Sequence, residues 1–143
     1  MSQPQIAVID DETLICDLVA EALSDQGFEV HCAQTRDDGA ALLTSGPFAM
    51  ALIDAKLPDG SGLSLVLIAA NTNTPTVVIS GHPDAAEQCE KFGFPFISKP
   101  FGIDTLCRET ARILADKEGA LQRVWCAIGK LEAERGRSDE RTS

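Results

Sequence analysis

Three acids follow an apolar run in the segment AVIDDE: Asp10, Asp11 and Glu12. Adjacent carboxylates repel one another, so they belong either in a solvated loop or around a cation. Three further apolar runs lead to polar residues: FAMALID ends on Asp54, TVVIS ends on Ser80, and FPFIS is followed by Lys99. This set offers carboxylate oxygens, one hydroxyl and one ammonium, with no Cys or His among them. Clustered carboxylates favour a hard divalent cation, and an open site suits Mg²⁺, which keeps several of its waters. A carboxylate flanked by Mg²⁺, a hydroxyl and a lysine is equipped to be the in-line nucleophile of phosphoryl transfer, because the cations neutralise charge on the phosphoryl oxygens. The product, an acyl phosphate, is labile and suits a reversible signal. Taken singly, each residue has a plainer reading. Acids favour helix starts through the dipole, Asp54 and Ser80 are turn formers, and lysines mostly lie on the surface.

The elements that carry these residues alternate along the chain. Ile6 to Ile9 is a short β-branched run of the kind buried on both faces of a sheet. Leu14, Ile15, Leu18, Val19, Ala22 and Leu23 then mark one face of a helix, which Gly27 is placed to stop. Phe28 to Cys32 reads as a second strand. Thr35, with Asp38 three residues on, reads as the capped start of a second helix. Phe48 to Asp54 reads as a third strand, and Leu63 to Ile68 as a mostly buried helix. Thr76 to Ile79 reads as a fourth strand, Pro83 to Phe92 as a short polar helix, Phe94 to Ser98 as a fifth strand, and a last helix starts near Asp104. Five strands alternating with five helices imply an α/β fold with a doubly wound parallel sheet covered on both faces. Ligands of such sheets bind outside the carboxyl ends of the strands, where all the residues above are collected.

The chain has 143 residues, enough for one domain with a real core and no need of disulfides. A formal net charge of −10 argues against nucleic acid and against an anionic membrane surface as partners. The start, MSQPQ, has neither the basic residues nor the apolar stretch of a secretory signal, so a cytoplasmic location is the expectation. The five cysteines are scattered, and their odd number makes a poor disulfide framework. Cys16, Cys89 and Cys107 read as small buried hydrophobes on helices. His31 and His82 are assigned no role.

The acid pair in VIDDE, the segment DAKLPDGSG, the strand PTVVISG and the tripeptide KPF occur in the order found in the receiver domains of bacterial response regulators. The chain resembles that family over roughly residues 5 to 118, about four-fifths of its length. The resemblance implies the CheY-like (βα)5, flavodoxin-like receiver fold, with residues 1–118 as receiver domain and 119–143 as a C-terminal helical extension and polar tail. It implies Asp54 as phosphoacceptor, Asp11 as a direct Mg²⁺ ligand and Asp10 as holder of a metal-bound water. Asp54 and the backbone carbonyl of Lys56 would complete the metal set, with Pro58 and Gly62 in the loop that follows. Ser80 would move onto the phosphoryl group, Lys99 would pair with it, and Phe96 takes the place of the switch aromatic. A cis peptide is expected at Pro100. Glu12 is expected only to begin its helix.

The sequence departs from the family pattern in three places. The interval from Ser80 to Lys99 is short, so a trimmed fourth helix and flanking loops are expected. Phe96 has no hydroxyl, so a switch there would act by burial. No output domain is expected to follow, because fewer than 30 residues remain after the receiver segment. Those residues carry a heptad-like stripe, Leu114, Lys117, Leu121, Val124, Ile128 and Leu131, interrupted by Gly119 and neighboured by Trp125. A helix folded back on its own domain and a helix that forms a homodimer or binds a partner fit that stripe equally.

The expected function is a stand-alone switch of a two-component or phosphorelay system, not an enzyme with an external product. It would be fed by a histidine kinase or histidine phosphotransfer protein and would act on a downstream protein target. Two alternatives stand beside it. One is a small Asp-nucleophile phosphohydrolase of the haloacid dehalogenase type, disfavoured because no Asp lies two residues after Asp10. The other is a degenerate receiver that serves as a protein-binding scaffold.

Overall fold

The computed structural model describes the backbone of residues 3–142 and the side-chain surroundings of residues 3–135; Met1, Ser2 and Ser143, at the ends of the expected spans, lie outside the described residues. The main sheet has five parallel strands: β1 (Gln5–Ile9), β2 (Glu29–Ala33), β3 (Met50–Asp54), β6 (Thr76–Ser80) and β7 (Phe96–Ser98). They stand in the order β2-β1-β3-β6-β7. A short antiparallel hairpin, β4 (Lys56–Leu57) with β5 (Gly60–Ser61), lies in the loop after β3. The helices are α1 (Thr13–Ser24), α2 (Arg36–Thr44), α3 (Leu63–Asn71), α4 (Pro83–Phe92), α5 (Ile103–Ala115) and α6 (Lys117–Thr142).

The continuous apolar runs of the strands are explained by burial on both sides. Every residue of β3 and β6 is buried, and so is β1 after Gln5. Alternate residues feed two cores. Ile6, Val8, Leu52 and Ile79 face Val19 and Leu23 of α1 and Leu106 of α5. Ala7, Ile9, Ile53 and Val78 face Leu43 of α2, Leu65 of α3 and Cys89 of α4. A parallel ladder needs a crossover of a dozen or more residues between its strands, and the helices supply it.

Local chemistry sets the helix ends as read from the sequence. Thr35 caps α2 by accepting from the Asp38 backbone N–H at 3.1 Å. Gly27, at φ +93°, lets the chain leave α1 through a left-handed residue, with the Phe28 N–H bonded back to Leu23. The fourth helix spans Pro83–Phe92, as read from the sequence, and Pro83 stands at its first position. With ten residues it is no shorter than α2 and α3, which have nine each.

Of the C-terminal stripe, Val124 and Ile128 are buried within the chain, while Leu114, Lys117, Leu121 and Leu131 are half-buried. Ala120 packs in the core under α1 and α5, while Val124, Ala127 and Ile128 lie in the opposite core beside Phe92 and Phe94. Thus α6 passes from one face of the sheet to the other, against α3, α4, α5 and β6. Val124 and Ile128, two of the apolar positions that would pair two helices, are covered by the domain, and Trp125 stays 42% exposed. The helix break falls at Asp116 rather than at Gly119. Asp116 accepts from the Gly119 N–H at 3.0 Å, an N-cap three residues ahead of its donor. A Cβ on Gly119 would collide with that carboxylate, so the glycine is what lets the cap close.

Cys16 and Cys89 are buried as expected, and Cys107 is only half-buried. Among the described residues, no helix is long and apolar enough to cross a membrane.

Candidate functional site

The strand order turns back between β1 and β3, and at that point a parallel sheet opens a crevice at its carboxyl edge. Asp10 follows β1 and Asp54 ends β3, so the two carboxylates flank the crevice. Ser80 ends the neighbouring strand β6, and Lys99 follows β7. Asp10, Asp54 and Ser80 are buried, at 0%, 5% and 1% exposure, while Asp11 is exposed. Asp11, Asp54 and Lys99 line an open cleft of about 550 Å³, whose rim includes Glu12, Lys56, Pro58, His82 and Pro100.

Lys99 ties the acids together. Its ammonium lies 2.7 Å from Asp10 Oδ2 and 3.0 Å from Asp54 Oδ2, with Glu12 Oε1 at 3.5 Å. The other oxygens are held by the backbone. Asp10 Oδ1 accepts from the Glu12 N–H at 2.9 Å, and Asp54 Oδ1 accepts from the Lys56 N–H at 3.1 Å. Ser80 Oγ accepts from the His82 N–H at 3.0 Å. The Lys99 N–H donates to the Ser80 carbonyl at 2.9 Å, which fixes the start of the lysine's loop against β6. The Lys99–Pro100 peptide is cis, as is Gly46–Pro47.

Burial and charge act in opposite senses here. Burial pushes the Asp10 carboxyl above its ordinary value, and the Asp54 charge adds to this; the Lys99 and Glu12 bonds oppose it without prevailing. For Lys99, burial by itself would favour the neutral amine, but the Asp10 and Asp54 carboxylates outweigh it and hold the ammonium above lysine's ordinary value. Three carboxylates thus face one ammonium that stays charged.

Carboxylate oxygens of Asp10, Asp11 and Asp54 all come within 4.8 Å of one another. Asp10 Oδ2 is buried and makes no hydrogen bond of good geometry, despite its short ion-pair distance to Lys99. Two negative charges left uncompensated, an unsatisfied buried carboxylate oxygen and an all-oxygen donor set are what a hard cation such as Mg²⁺ would satisfy. The acidic site is therefore compatible with Mg²⁺.

The loop after β3 is fitted to this crevice by close approach. A Cβ on Gly62 would collide with the Asp54 carbonyl oxygen, so no other residue type fits without displacing the end of β3. The Gly62 N–H donates to the Ala55 carbonyl at 2.9 Å.

All the residues picked from the sequence lie at this edge except Phe96. It sits two residues before the end of β7, half-buried against the core that contains Cys89 and Phe92. Two contributions were not legible in the sequence. Glu12 does more than begin α1, since its N–H orients Asp10 and its carboxylate faces Lys99. Asp59, in the LPDGSG loop, accepts from the backbone N–H groups of Arg36 and Asp37 at 2.6 and 3.1 Å, joining this loop to the start of α2. The donors lie in a distant segment, so only the Asp-Gly turn signal was visible beforehand.

Comparison with known proteins gives one consistent result. The response regulator receiver domain model matches residues 6–111. Response regulator protein PilR of Pseudomonas aeruginosa is 34% identical over 111 residues, covering 74% of this chain and 25% of that protein. The transcriptional regulatory protein DltR of Streptococcus agalactiae is 28% identical over 107 residues, covering 71% of this chain and 48% of that protein. The chain thus spans from a quarter to about half the length of these curated relatives. Among solved structures, a CheY-like receiver domain protein from Methanospirillum hungatei aligns with a TM-score of 0.73 at 28% identity, over 82% of this chain and 98% of that one. NtrX from Brucella abortus aligns with a TM-score of 0.71 at 33% identity, over 82% of this chain and 28% of that one.

Proposed function

Because the chain belongs to the response regulator receiver domain family of two-component signalling, we propose that it is a phosphorylation-controlled switch whose acceptor is Asp54. The phosphoryl donor would be a histidine kinase or a histidine phosphotransfer protein, and the signal would pass to a downstream protein. The observation that carries this reading is the placement of Asp54. Its carboxylate ends a fully buried strand, is held by the Lys56 N–H and the Lys99 ammonium, and opens on the cleft.

Asp10, Asp11, Asp54 and the Lys56 carbonyl would hold a Mg²⁺ ion. When bound, it supplies positive charge against the phosphoryl oxygens. The protein's own groups do the rest. An Asp54 oxygen forms the new P–O bond as the P–N bond of the phosphohistidine breaks, and the electron pair leaves with the imidazole. Lys99 moves its contact from the Asp54 carboxylate to a phosphoryl oxygen while Asp10 keeps it in place. The Ser80 oxygen already accepts from the His82 N–H, so its O–H is free to donate to the phosphoryl group. Movement of Ser80 would open space beneath Phe96, which lacks a hydroxyl and would respond by deeper burial.

Incubation of the protein with acetyl phosphate and Mg²⁺, followed by intact mass measurement, should show one added phosphoryl group in the wild type and none in Asp54→Ala. An unmodified wild type, folded and with metal present, would overturn the reading.

A further inference from the structure

The first turn of a helix leaves its N–H groups without partners inside the helix. In α2 the Asp38 N–H is taken by Thr35, but the two before it are taken from outside. The carboxylate oxygens of Asp59, in the loop between β3 and α3, accept from the Arg36 and Asp37 N–H groups at 2.6 and 3.1 Å. A carboxylate is favoured there both by charge-assisted hydrogen bonds and by the helix dipole. The Arg36 side chain closes the other half of the clasp. Its Nε donates to Ser64 Oγ at 2.8 Å, and Ser64 Oγ donates to the Ser61 carbonyl at 2.8 Å. Its stem lies against Gly60, where a Cβ would stand 2.8 Å from Arg36 Cδ. Three successive loop residues, Asp59, Gly60 and Ser61, are thus held against the starts of α2 and α3.

One hairpin pairing separates this clasp from the acid at the end of β3. Ser61 is the register partner of Lys56 and Gly60 that of Leu57. The Lys56 N–H in turn donates to Asp54 Oδ1 at 3.1 Å, while Asp54 Oδ2 meets the Lys99 ammonium at 3.0 Å. The plane of the Asp54 carboxylate is therefore set by one loop contact and one lysine. Asp59 and Arg36 are absent from the cleft lining, which the loop enters through Lys56, Leu57 and Pro58, so any effect on the chemistry must pass along the loop. We propose that Asp59 and Arg36 are positioning residues for phosphoryl transfer: they hold the loop so that the Lys56 N–H keeps the Asp54 carboxylate oriented for in-line attack. This inference rests on the reading of Asp54 as acceptor. Without the clasp, the hairpin shifts, the Lys56 contact loosens, and the carboxylate turns about its Cβ–Cγ bond. Lost orientation of a nucleophile is a cost in rate rather than in binding.

The test compares the full chain with Asp59→Ala, Asp59→Asn and Arg36→Ala, each shown to be folded by circular dichroism. The first readout is the exchange rate of the Lys56 amide proton, measured by NMR without phosphoryl donor or metal. It should rise severalfold in Asp59→Ala. The second is the rate of acetyl phosphate labelling with Mg²⁺. Its limiting value at saturating donor should fall about tenfold in Asp59→Ala, with the half-saturating donor concentration unchanged. Asp59→Asn keeps one acceptor oxygen for the α2 N–H groups and should recover part of both. Arg36→Ala removes only the side-chain half of the clasp and should move both in the same direction. It takes the place of Asp59→Ala should that variant fold poorly. A folded clasp variant with the Lys56 exchange rate or the limiting labelling rate of the wild type would overturn the proposal. A wild type that takes up no phosphoryl group would instead overturn Asp54 as the acceptor, whatever the amide exchange.

Discussion

The Lys99 ammonium lies 2.7 Å from Asp10 Oδ2, a buried oxygen that is paired by charge but has no hydrogen-bond partner. The lysine is the one cation bridging Asp10 to Asp54 among the described residues, so it has a structural as well as a chemical task.

Lys99→Met removes that cation and leaves two buried carboxylates facing each other. A loss of about 2 kcal/mol in unfolding free energy is expected at neutral pH, below the range for fully enclosed pairs because the cleft is open. Mg²⁺ binding to the folded state should restore part of it, since a ligand that binds only the native form stabilises by mass action. Denaturant melts of wild type and variant, each with EDTA or with Mg²⁺, test this. An equal Mg²⁺ effect on both proteins would mean that the lysine and the cation do not share the acids.

Gly62→Ala places a methyl where the Asp54 carbonyl oxygen now sits. The loop or the strand end must move, at a cost of about 1–3 kcal/mol. Because Asp54 is the displaced residue, acetyl phosphate labelling should fall more steeply than stability does. Labelling at the wild-type rate in the folded variant would show that the loop yields without moving the carboxylate.

Asp116 and Gly119 should be coupled. Asp116→Ala removes the cap of α6 and should cost about 1 kcal/mol. Gly119→Ala improves helix propensity by about 1 kcal/mol in isolation, yet its Cβ displaces the Asp116 carboxylate from its cap, so the gain should be largely cancelled in the wild type. In the Asp116→Ala background the collision is gone, and Gly119→Ala should stabilise. Equilibrium unfolding of the four proteins gives the coupling, and additive effects would refute it.

Cys89 should shape the alkaline limb of stability. Its thiol is fully buried, and burial raises it from 9.0 to about 11 in the folded protein. The folded state keeps its proton where the unfolded chain has lost it. The contribution is therefore complete below about pH 9 and is lost as pH rises through about 11. The full loss is about 2–3 kcal/mol. Cys89→Ala should be less stable at neutral pH but should show a flatter profile over that interval.

Much of the architecture could be read from local pattern because each feature rests on neighbouring residues. The strands are short β-branched runs, Thr35 and Gly27 mark helix ends through their own side-chain and backbone chemistry, and Asp54, Ser80 and Lys99 stand at run ends. The fourth helix, Pro83–Phe92, was legible from its own pattern, whereas the length of the interval from Ser80 to Lys99 does not say whether helix or loops absorb a deletion. The stripe on α6 was legible, but not its destination, because one apolar face fits its own domain or another chain equally well.

The sequence by itself determined the parallel α/β sheet and which polar residues stand at its carboxyl edge, since hydrophobic period and strand ends are properties of short segments. Only the tertiary structure decided that Lys99 bridges Asp10 and Asp54 and that Asp59 closes on the start of α2. It likewise decided that α6 folds back across the sheet onto the opposite core. Those pairings join segments far apart in the chain, and distance in space is fixed by strand order and register rather than by any local signal.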